Sequence, residues 1–146
     1  MQITLAVSSA LGWFFVVVGT VVFSLLGLFV FFPLSLVFER GTGGLVHGIS
    51  QSWARLIARV LPFWEIRTEG LAKIQKGKAY VVVSNHQSLL DILMVLAVFP
   101  LHFKFIAKRE LFWIPFFGWH LAAARYLCLK RGDPVSGRQT LEKARD

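Results

Sequence analysis

The longest pattern in the chain is an apolar stretch at its start. Over residues 3–38 only Ser, Thr, Gly and one Pro interrupt the apolar side chains, and no charged residue precedes Glu39. About 20 apolar residues suffice to cross a bilayer core, whereas these 36 would form a straight helix of roughly 54 Å. We therefore predict that residues 1–40 form a membrane-embedded helical segment that tilts, breaks or re-enters at Gly27 or Pro33.

The flanking charges predict the orientation of this segment. A cleaved signal peptide is the alternative, but the basic n-region is missing and the run exceeds the usual length of about 7–15 residues. Arg40, Arg55 and Arg59 follow the run, and no Lys or Arg precedes it. The positive-inside rule therefore places the later part of the chain on the cytoplasmic face, at the inner membrane if the source is bacterial.

A second pattern, over residues 41–61, has a helical period. Apolar residues recur at helical spacing from residue 45 onward, and polar residues with Arg55 and Arg59 occupy the other side. We predict an amphipathic interfacial helix, in which Trp53 suits the headgroup region and the two arginines meet anionic phosphate. The alternative is that its apolar face packs on the following domain.

From residue 62 the pattern changes to short strands that alternate with helices. Strands are predicted over residues 65–69, 79–84, 103–107 and 126–129, and the β-branched run at 79–84 indicates a strand covered on both faces. Helices are predicted over residues 88–98 and 108–112 and from Pro134 onward, with Asp133 as the N-cap. The expected fold class is α/β: a membrane-embedded helical segment, then a mixed β-sheet with flanking helices, of which residues 62–146 are the N-terminal part.

Composition and charge narrow the possible partners. With 55% hydrophobic and 16% charged residues, the chain is neither disordered nor a coiled coil. The net charge of +8 is spread through predicted strands and turns after a membrane segment, which favours anionic lipid and acidic substrates over nucleic acid. The single Cys128 excludes an internal disulfide, and the scattered His residues predict no metal site. His102 and His120 stand among aromatic residues in the sequence and are expected to be packing or interfacial residues rather than ligands.

The chemistry is expected between the strand at 79–84 and the helix that follows, where open α/β sheets place ligands. His86 and Asp91 are five residues apart, which would leave them about 140° apart on a regular helix. The carboxylate reaches the imidazole only if His86 lies in the turn before the helix and Asp91 in its early turns. An imidazole held in this way can act as a general base on a hydroxyl. The alternative is a polar helix start capped by Asn85.

Two later segments extend this motif. Residues 108–118 read K-R-E-L-F-W-I-P-F-F-G, and the strand predicted over 126–129 is followed by Arg131. Over residues 66–131 the order and spacing resemble the glycerolipid acyltransferases, most closely the bacterial 1-acylglycerol-3-phosphate acyltransferases. That family's signatures are N-H-x-x-x-x-D, K-x-E-L-x-x-I-P-x-F-G and a strand ending in Arg. The resemblance implies acyl transfer from acyl-CoA or acyl carrier protein to the hydroxyl of a lysophospholipid acceptor, giving phosphatidic acid without a cofactor or an acyl-enzyme.

The resemblance also implies roles for individual residues. His86 would be the general base and Asp91 the residue that orients it, while Arg131 would hold the acceptor phosphate. Further substrate-binding positions would be Asn85, Ser88, Lys108, Glu110, Pro115 and Gly118. Arg125 and Lys130 stand where these enzymes often have Gly and Asp, and the family's later E-G-T-R segment does not occur before Asp146, so a longer protein is expected.

Two other functions remain open. The acceptor could be another lysolipid, or the chain could be a non-enzymatic membrane-anchored module that binds anionic lipid. The ordered motifs favour the enzyme, because simple lipid binding requires none of them.

Overall fold

A computed structural model describes residues 2–40, 42–60, 66–88 and 90–145. The chain divides into two units, one of residues 1–50 with 102–146 and one of residues 51–101. Each unit is described by itself below.

The apolar stretch forms one long helical segment. Helix α1 (Gln2–Leu26) continues through a π-helical turn (Gly27–Phe31) into α2 (Phe32–Phe38). Within it, Ser9–Phe38 is long and apolar enough to cross a membrane. The irregularity predicted at Gly27 or Pro33 is a wider turn that begins at Gly27, and neither residue ends the helix. Pro33 lies in the first turn of α2, directly after the π-helical turn.

Helix α3 (Gly44–Val60) confirms the predicted amphipathic helix over the described residues, and Leu61 lies outside them. Its start is stabilised by Glu39, whose carboxylate accepts the Leu45 N–H at 2.9 Å. Trp53 and Ile57 are buried, whereas Arg55 and Arg59 are exposed. The burial of Trp53 favours the packing interpretation for this side chain, and the interfacial placement of the helix stays a prediction.

The sheet of the first unit has two short parallel strands in the part of the chain that the structure describes. Strand β1 (Ile106–Lys108) pairs with β2 (Leu127–Leu129), in a register that places Ala107 opposite Cys128. A 3₁₀ turn (Arg109–Trp113) and α5 (Phe117–Ala123) connect the strands, so the unit contains a small β-α-β arrangement. The core beneath it consists of Val46, Leu121, Ala123, Ala124 and Tyr126.

The final helix, α6 (Pro134–Arg145), begins as predicted. The Asp133 carboxylate accepts the N–H groups of Val135 and Ser136 at 3.0 and 3.2 Å, which is the expected N-cap geometry.

The second unit contains the end of α3, a 3₁₀ turn (Leu71–Lys73) and α4 (Leu90–Val98). Two side chains of α3 bond to carbonyls at the C-terminal end of α4: Gln51 to Phe99 at 3.1 Å and Arg55 to Ala97 at 3.2 Å. These bonds satisfy carbonyl groups that have no partner within the helix.

Two predictions of strands were wrong. Residues 79–84 form no strand, and Val81 and Val83 are 94% and 88% exposed instead of covered. A β-branched run favours an extended backbone, but a strand also needs a neighbour for its hydrogen bonds, and none among the described residues supplies one. The same reason applies to residues 66–69, which are not a strand; Glu65 lies outside the described residues. The short helix predicted over residues 108–112 is present as a 3₁₀ helix, Arg109–Trp113, which begins one residue later because Lys108 is paired in β1.

The expected mixed β-sheet is therefore represented, within the described ranges, by two parallel strands in a mostly helical chain.

Candidate active site

The segment before α4 forms a capping box. Ser88 Oγ accepts the N–H of Leu90 at 3.2 Å, and the carboxylate of Asp91 accepts the N–H of Ser88 at 2.9 Å. These two bonds satisfy two backbone donors at the helix start, although the Ser88 side chain bonds to the second instead of the third residue after it. The cap is therefore Ser88, and Asn85 lies exposed upstream of it. The Ser-x-x-Asp spacing before an apolar run is the sequence signal for this arrangement, and the interpretation based on Asn85 overlooked it.

The same carboxylate holds the imidazole of His86. Asp91 Oδ2 accepts the N–H of Gln87 at 2.6 Å and lies 3.2 Å from His86 Nδ1. An ionised carboxylate can only accept hydrogen bonds, so Nδ1 is the donor and Nε2 of the neutral ring is left with a lone pair. His86 precedes α4 and Asp91 lies in its first turn, which confirms the geometry predicted from the five-residue spacing.

The electrostatics of the pair follow from these bonds. The N–H of Ser88 lowers the pKa of Asp91 below its usual value, and the N–H of Gln87 and the His86 ring add to this effect. The carboxylate is therefore ionised at neutral pH. The side chains of His86 and Asp91 are 53% and 34% exposed. An accessible imidazole with a free Nε2 can accept a proton from a hydroxyl that approaches it.

The predicted acceptor motif, residues 108–118, lies in the first unit. Lys108 and Glu110 form an exposed ion pair, with 3.8 Å between Nζ and Oε2. Pro115 begins a tight turn in which the Phe117 N–H donates to the Pro115 carbonyl at 2.7 Å, and Phe116 has a φ of +63°. This is a γ-turn, which is strained for a residue with a side chain.

Gly118 is needed for packing in this turn. It is buried, and a Cβ atom there would collide with the backbone of Phe112. Its contribution to substrate binding, like those of Lys108, Glu110 and Pro115, stays a prediction.

Arg131 follows β2 and is exposed. The neighbouring Lys130 pairs with Asp133, at 3.7 Å between Nζ and Oδ2, and this contact adds to the backbone bonds that lower the pKa of Asp133. The ammonium group of Lys130 thus contacts the N-cap residue of α6. The phosphate-binding role of Arg131 stays a prediction.

A buried set of polar side chains in the first unit was not foreseen. His47 Nδ1 lies 2.8 Å from the hydroxyl of Tyr126, and the Ser50 hydroxyl lies 2.7 Å from His120 Nε2. His120 is buried and its ring lies against Gly27 of the long helix, so its predicted packing role is confirmed. His102 is exposed, although its ring contacts that of His47 with 4.7 Å between centroids. Apolar spacing from residue 45 places both His47 and Ser50 away from the centre of the apolar face, so the pattern of α3 did not predict these contacts.

The described ranges contain no group of three or more His, Cys, Asp or Glu side chains that could hold a metal ion.

Comparisons with known proteins agree with the motifs. The sequence model of the acyltransferase family matches residues 65–146. A chloroplastic 1-acyl-sn-glycerol-3-phosphate acyltransferase of Arabidopsis thaliana is 35% identical over 135 residues, which cover 90% of this chain and 37% of that protein. A Pseudomonas aeruginosa protein of the same name is 32% identical over 102 residues, or 67% of this chain and 38% of that protein.

A Saccharomyces cerevisiae protein of the same name is 39% identical over 75 residues, covering 51% of this chain and 23% of the relative. No solved structure gives a significant match. The chain thus spans little more than a third of the length of the first two relatives. With the family match covering more than half of its residues, and with the His-Asp pair formed in the structure, the chain belongs to the acyltransferase family.

Proposed function

We propose that the chain supplies the general base of a membrane-bound 1-acylglycerol-3-phosphate acyltransferase. The observation that carries this proposal is the hydrogen bond between His86 Nδ1 and Asp91 in the turn before α4. The names of the relatives support the acceptor, lysophosphatidic acid, and the product, phosphatidic acid.

The proposed reaction is direct attack on a thioester. Nε2 of His86 takes the proton of the free glycerol hydroxyl as its oxygen bonds to the thioester carbonyl carbon. The tetrahedral intermediate then collapses: the carbon–sulfur bond breaks, and the imidazolium returns the proton to the departing thiolate. Asp91 stabilises the imidazolium between these two steps and keeps Nδ1 as the protonated nitrogen.

No protein nucleophile is needed for this sequence of steps. The chain contains no G-x-S-x-G motif, and the proposed steps do not use the exposed Cys128 of β2. Lys108, Glu110 and Arg131 are proposed to bind the acceptor, with Arg131 on its phosphate, where a guanidinium can form two charge-assisted hydrogen bonds.

Substitution of the His-Asp pair tests the proposal. In membranes that carry the protein in its full length, His86→Ala should lower acyl transfer to lysophosphatidic acid by about 10²–10⁴-fold, the usual contribution of a positioned general base. Asp91→Asn should lower it nearly as far, because an amide can hold the wrong tautomer and cannot stabilise the imidazolium. Turnover is measured with radiolabelled acceptor and with acyl-CoA or acyl carrier protein as the donor, in separate reactions.

His102→Ala is the matched control, since this exposed His lies outside the pair. It should retain the turnover of the unmodified protein. Near-normal turnover of His86→Ala with both donors would contradict the assignment of the base. Equal turnover of lysophosphatidic acid and a phosphate-free monoacylglycerol would contradict the proposed acceptor.

A further inference from the structure

Four apolar side chains between β1 and the end of α5 remain at the surface of the first unit. Trp113, Ile114, Phe116 and Trp119, here called the aromatic patch, are 65%, 46%, 40% and 49% exposed. The rings of Phe116 and Trp119 meet edge to face, with 5.3 Å between centroids. Exposed apolar side chains that contact one another, as Phe116 and Trp119 do, are unusual on a surface that only water covers, because contiguous exposed apolar area marks an interaction site.

The patch adjoins α5, which carries Trp119 and packs against the long apolar helix. His120 of α5 occupies the space in front of Gly27, where a Cβ atom would collide with its ring. Leu28, Phe31 and Phe32 pack on the core cluster that contains Leu121 of α5. The long helix and α5 are therefore in direct contact at the π-helical turn.

The long helix itself is apolar and exposed on both sides of this contact. Leu26 before the turn is 39% exposed, Phe29 within it is 67% exposed, and Val37 beyond it is 74% exposed. Lipid that covers these side chains lies at the same depth as the π-helical turn, where α5 contacts the long helix. A helix with its side chains is only about 10–12 Å across, so lipid at that level lies within reach of the outer surface of α5.

The chemistry of the patch fits the boundary between headgroups and acyl chains. Trp combines a large apolar ring with an N–H that tolerates water, which is why it is enriched at this level of a membrane. The guanidinium of Arg109 lies over the Trp113 ring, 5.0 Å from its centroid. An Arg held in this way can bind lipid phosphate while the ring beneath it enters the apolar layer.

We propose that the aromatic patch inserts into the interfacial layer of the bilayer that holds the long helix. The acceptor motif would then lie at the membrane surface, and a lipid acceptor could reach residues 108–118 without leaving the bilayer. This inference rests on the proposed placement of the long helix in a membrane, which the experiment below measures separately.

The test uses the five tryptophans as reporters. Variants that keep one tryptophan, with Phe at the other four positions, are reconstituted into vesicles of phosphatidylcholine and phosphatidylglycerol. Fluorescence is compared between plain lipid, lipid brominated near the headgroup end of the acyl chain and lipid brominated near the chain terminus. Acrylamide in the aqueous phase measures contact with water.

Trp119 should lose more emission to bromine near the headgroup than to bromine near the chain terminus, and acrylamide should quench it weakly. Trp53 is the control, because it is only 5% exposed and should lose less emission to either lipid. Quenching of Trp119 by acrylamide alone would show a hydrated patch and overturn the inference. Protection of Trp119 from both quenchers would show that protein covers the patch and would overturn it equally.

Trp13, in α1, separates this inference from the placement of the long helix. Quenching of Trp13 by brominated lipid without quenching of Trp119 would show that the long helix lies in the bilayer and that the patch does not. Absence of lipid quenching at Trp13 would contradict the membrane placement itself. To exclude damage from four substitutions, Trp119→Phe alone in the otherwise unmodified protein should remove a lipid-quenched component of the emission, and Trp53→Phe should not.

Discussion

Arg125 occupies a backbone conformation that favours glycine. Its φ is +59°, and it follows the end of α5. The N–H of Arg125 donates to the Ala122 carbonyl and that of Tyr126 donates to the Leu121 carbonyl, each at 3.0 Å. These two bonds are those of a Schellman C-cap, in which Gly is usual at this position. The Arg found here in place of the family's frequent Gly therefore does not prevent the turn, but it strains the backbone.

We predict that Arg125→Gly raises the thermal unfolding midpoint. A left-handed residue with a side chain costs about 1–2 kcal/mol, of which the greater flexibility of Gly in the unfolded chain offsets roughly half. The substitution also removes a positive charge that helps to lower the pKa of Lys104, an effect in which burial is the larger cause. Unfolding in detergent, followed by circular dichroism, measures the change. Arg125→Ala removes the charge but keeps the Cβ atom; a gain as large as that of the Gly variant would assign the effect to charge.

At the scale of elements, the contact between the long helix and α5 depends on the absence of a side chain at Gly27. The π-helical turn that begins there brings the helix backbone against the His120 ring, and His120 is held from the other side by Ser50. Position 27 therefore determines how α5 packs on the helix.

We predict that Gly27→Ala destabilises the first unit, although Ala is the better helix former. The added methyl group forces the His120 ring away and disturbs its bond to Ser50, and overpacking of this kind costs about 1–3 kcal/mol. Gly48→Ala in α3 is the matched control, since nothing lies within 4 Å of a Cβ atom there. That variant should gain about 0.5–1 kcal/mol from helix propensity. Equal midpoints for the two variants in thermal unfolding would contradict the proposed packing role of Gly27.

The His120 contact also predicts a dependence of stability on pH. Burial lowers the pKa of His120 from 6.5 to about 4, although the Ser24 backbone acts in the opposite direction. Between these two values the unfolded chain binds a proton that the folded chain does not bind, so stability falls as the pH is lowered from 6.5 towards 4 and levels off below.

The dependence is measured against His120→Gln, whose amide can replace one ring nitrogen but does not titrate. Carboxylates titrate in both proteins alike, so their effect cancels in the comparison. The difference between the thermal unfolding midpoints of the unmodified protein and this variant should therefore shift against the unmodified protein as the pH is lowered from 6.5 towards 4. A difference that is constant with pH would contradict the assignment.

At the scale of the whole molecule, the exposed apolar surface of the long helix determines where the protein resides. Side chains such as Val17, Phe29 and Phe38 are more than half exposed. Complete burial of each is worth about 1.5–3 kcal/mol, so their sum far exceeds what a protein leaves in contact with water.

We therefore predict that alkaline carbonate does not release the protein from membranes, whereas it releases a peripheral protein in the same sample. The protein in pellet and supernatant is quantified by immunoblot. Recovery in the supernatant without detergent would contradict the membrane placement.

Features that depend on neighbours in sequence were predictable from the residues. The long helix, α3, α4 and α6 follow from apolar spacing over several turns and from local caps such as Asp133. The position of His86 before α4 was predictable as well, because only a turn brings Nδ1 within reach of a carboxylate five residues later. The three ordered motifs by themselves also indicate the family, which the family match over residues 65–146 bears out.

Features that depend on partners distant in sequence were decided only by the tertiary structure. Residues 79–84 have the composition of a buried strand and yet are exposed, because strand formation requires a hydrogen-bonding neighbour that composition does not specify. Likewise, no local signal pairs Gly27 with His120 or His47 with Tyr126, since a buried polar group can be satisfied by any element that the fold brings to it. The spacing of residues along the chain thus determined the helices and the geometry of the His-Asp pair. Which surfaces meet in the folded chain decided the remaining features: the π-helical turn, the buried polar contacts and the exposure of the aromatic patch.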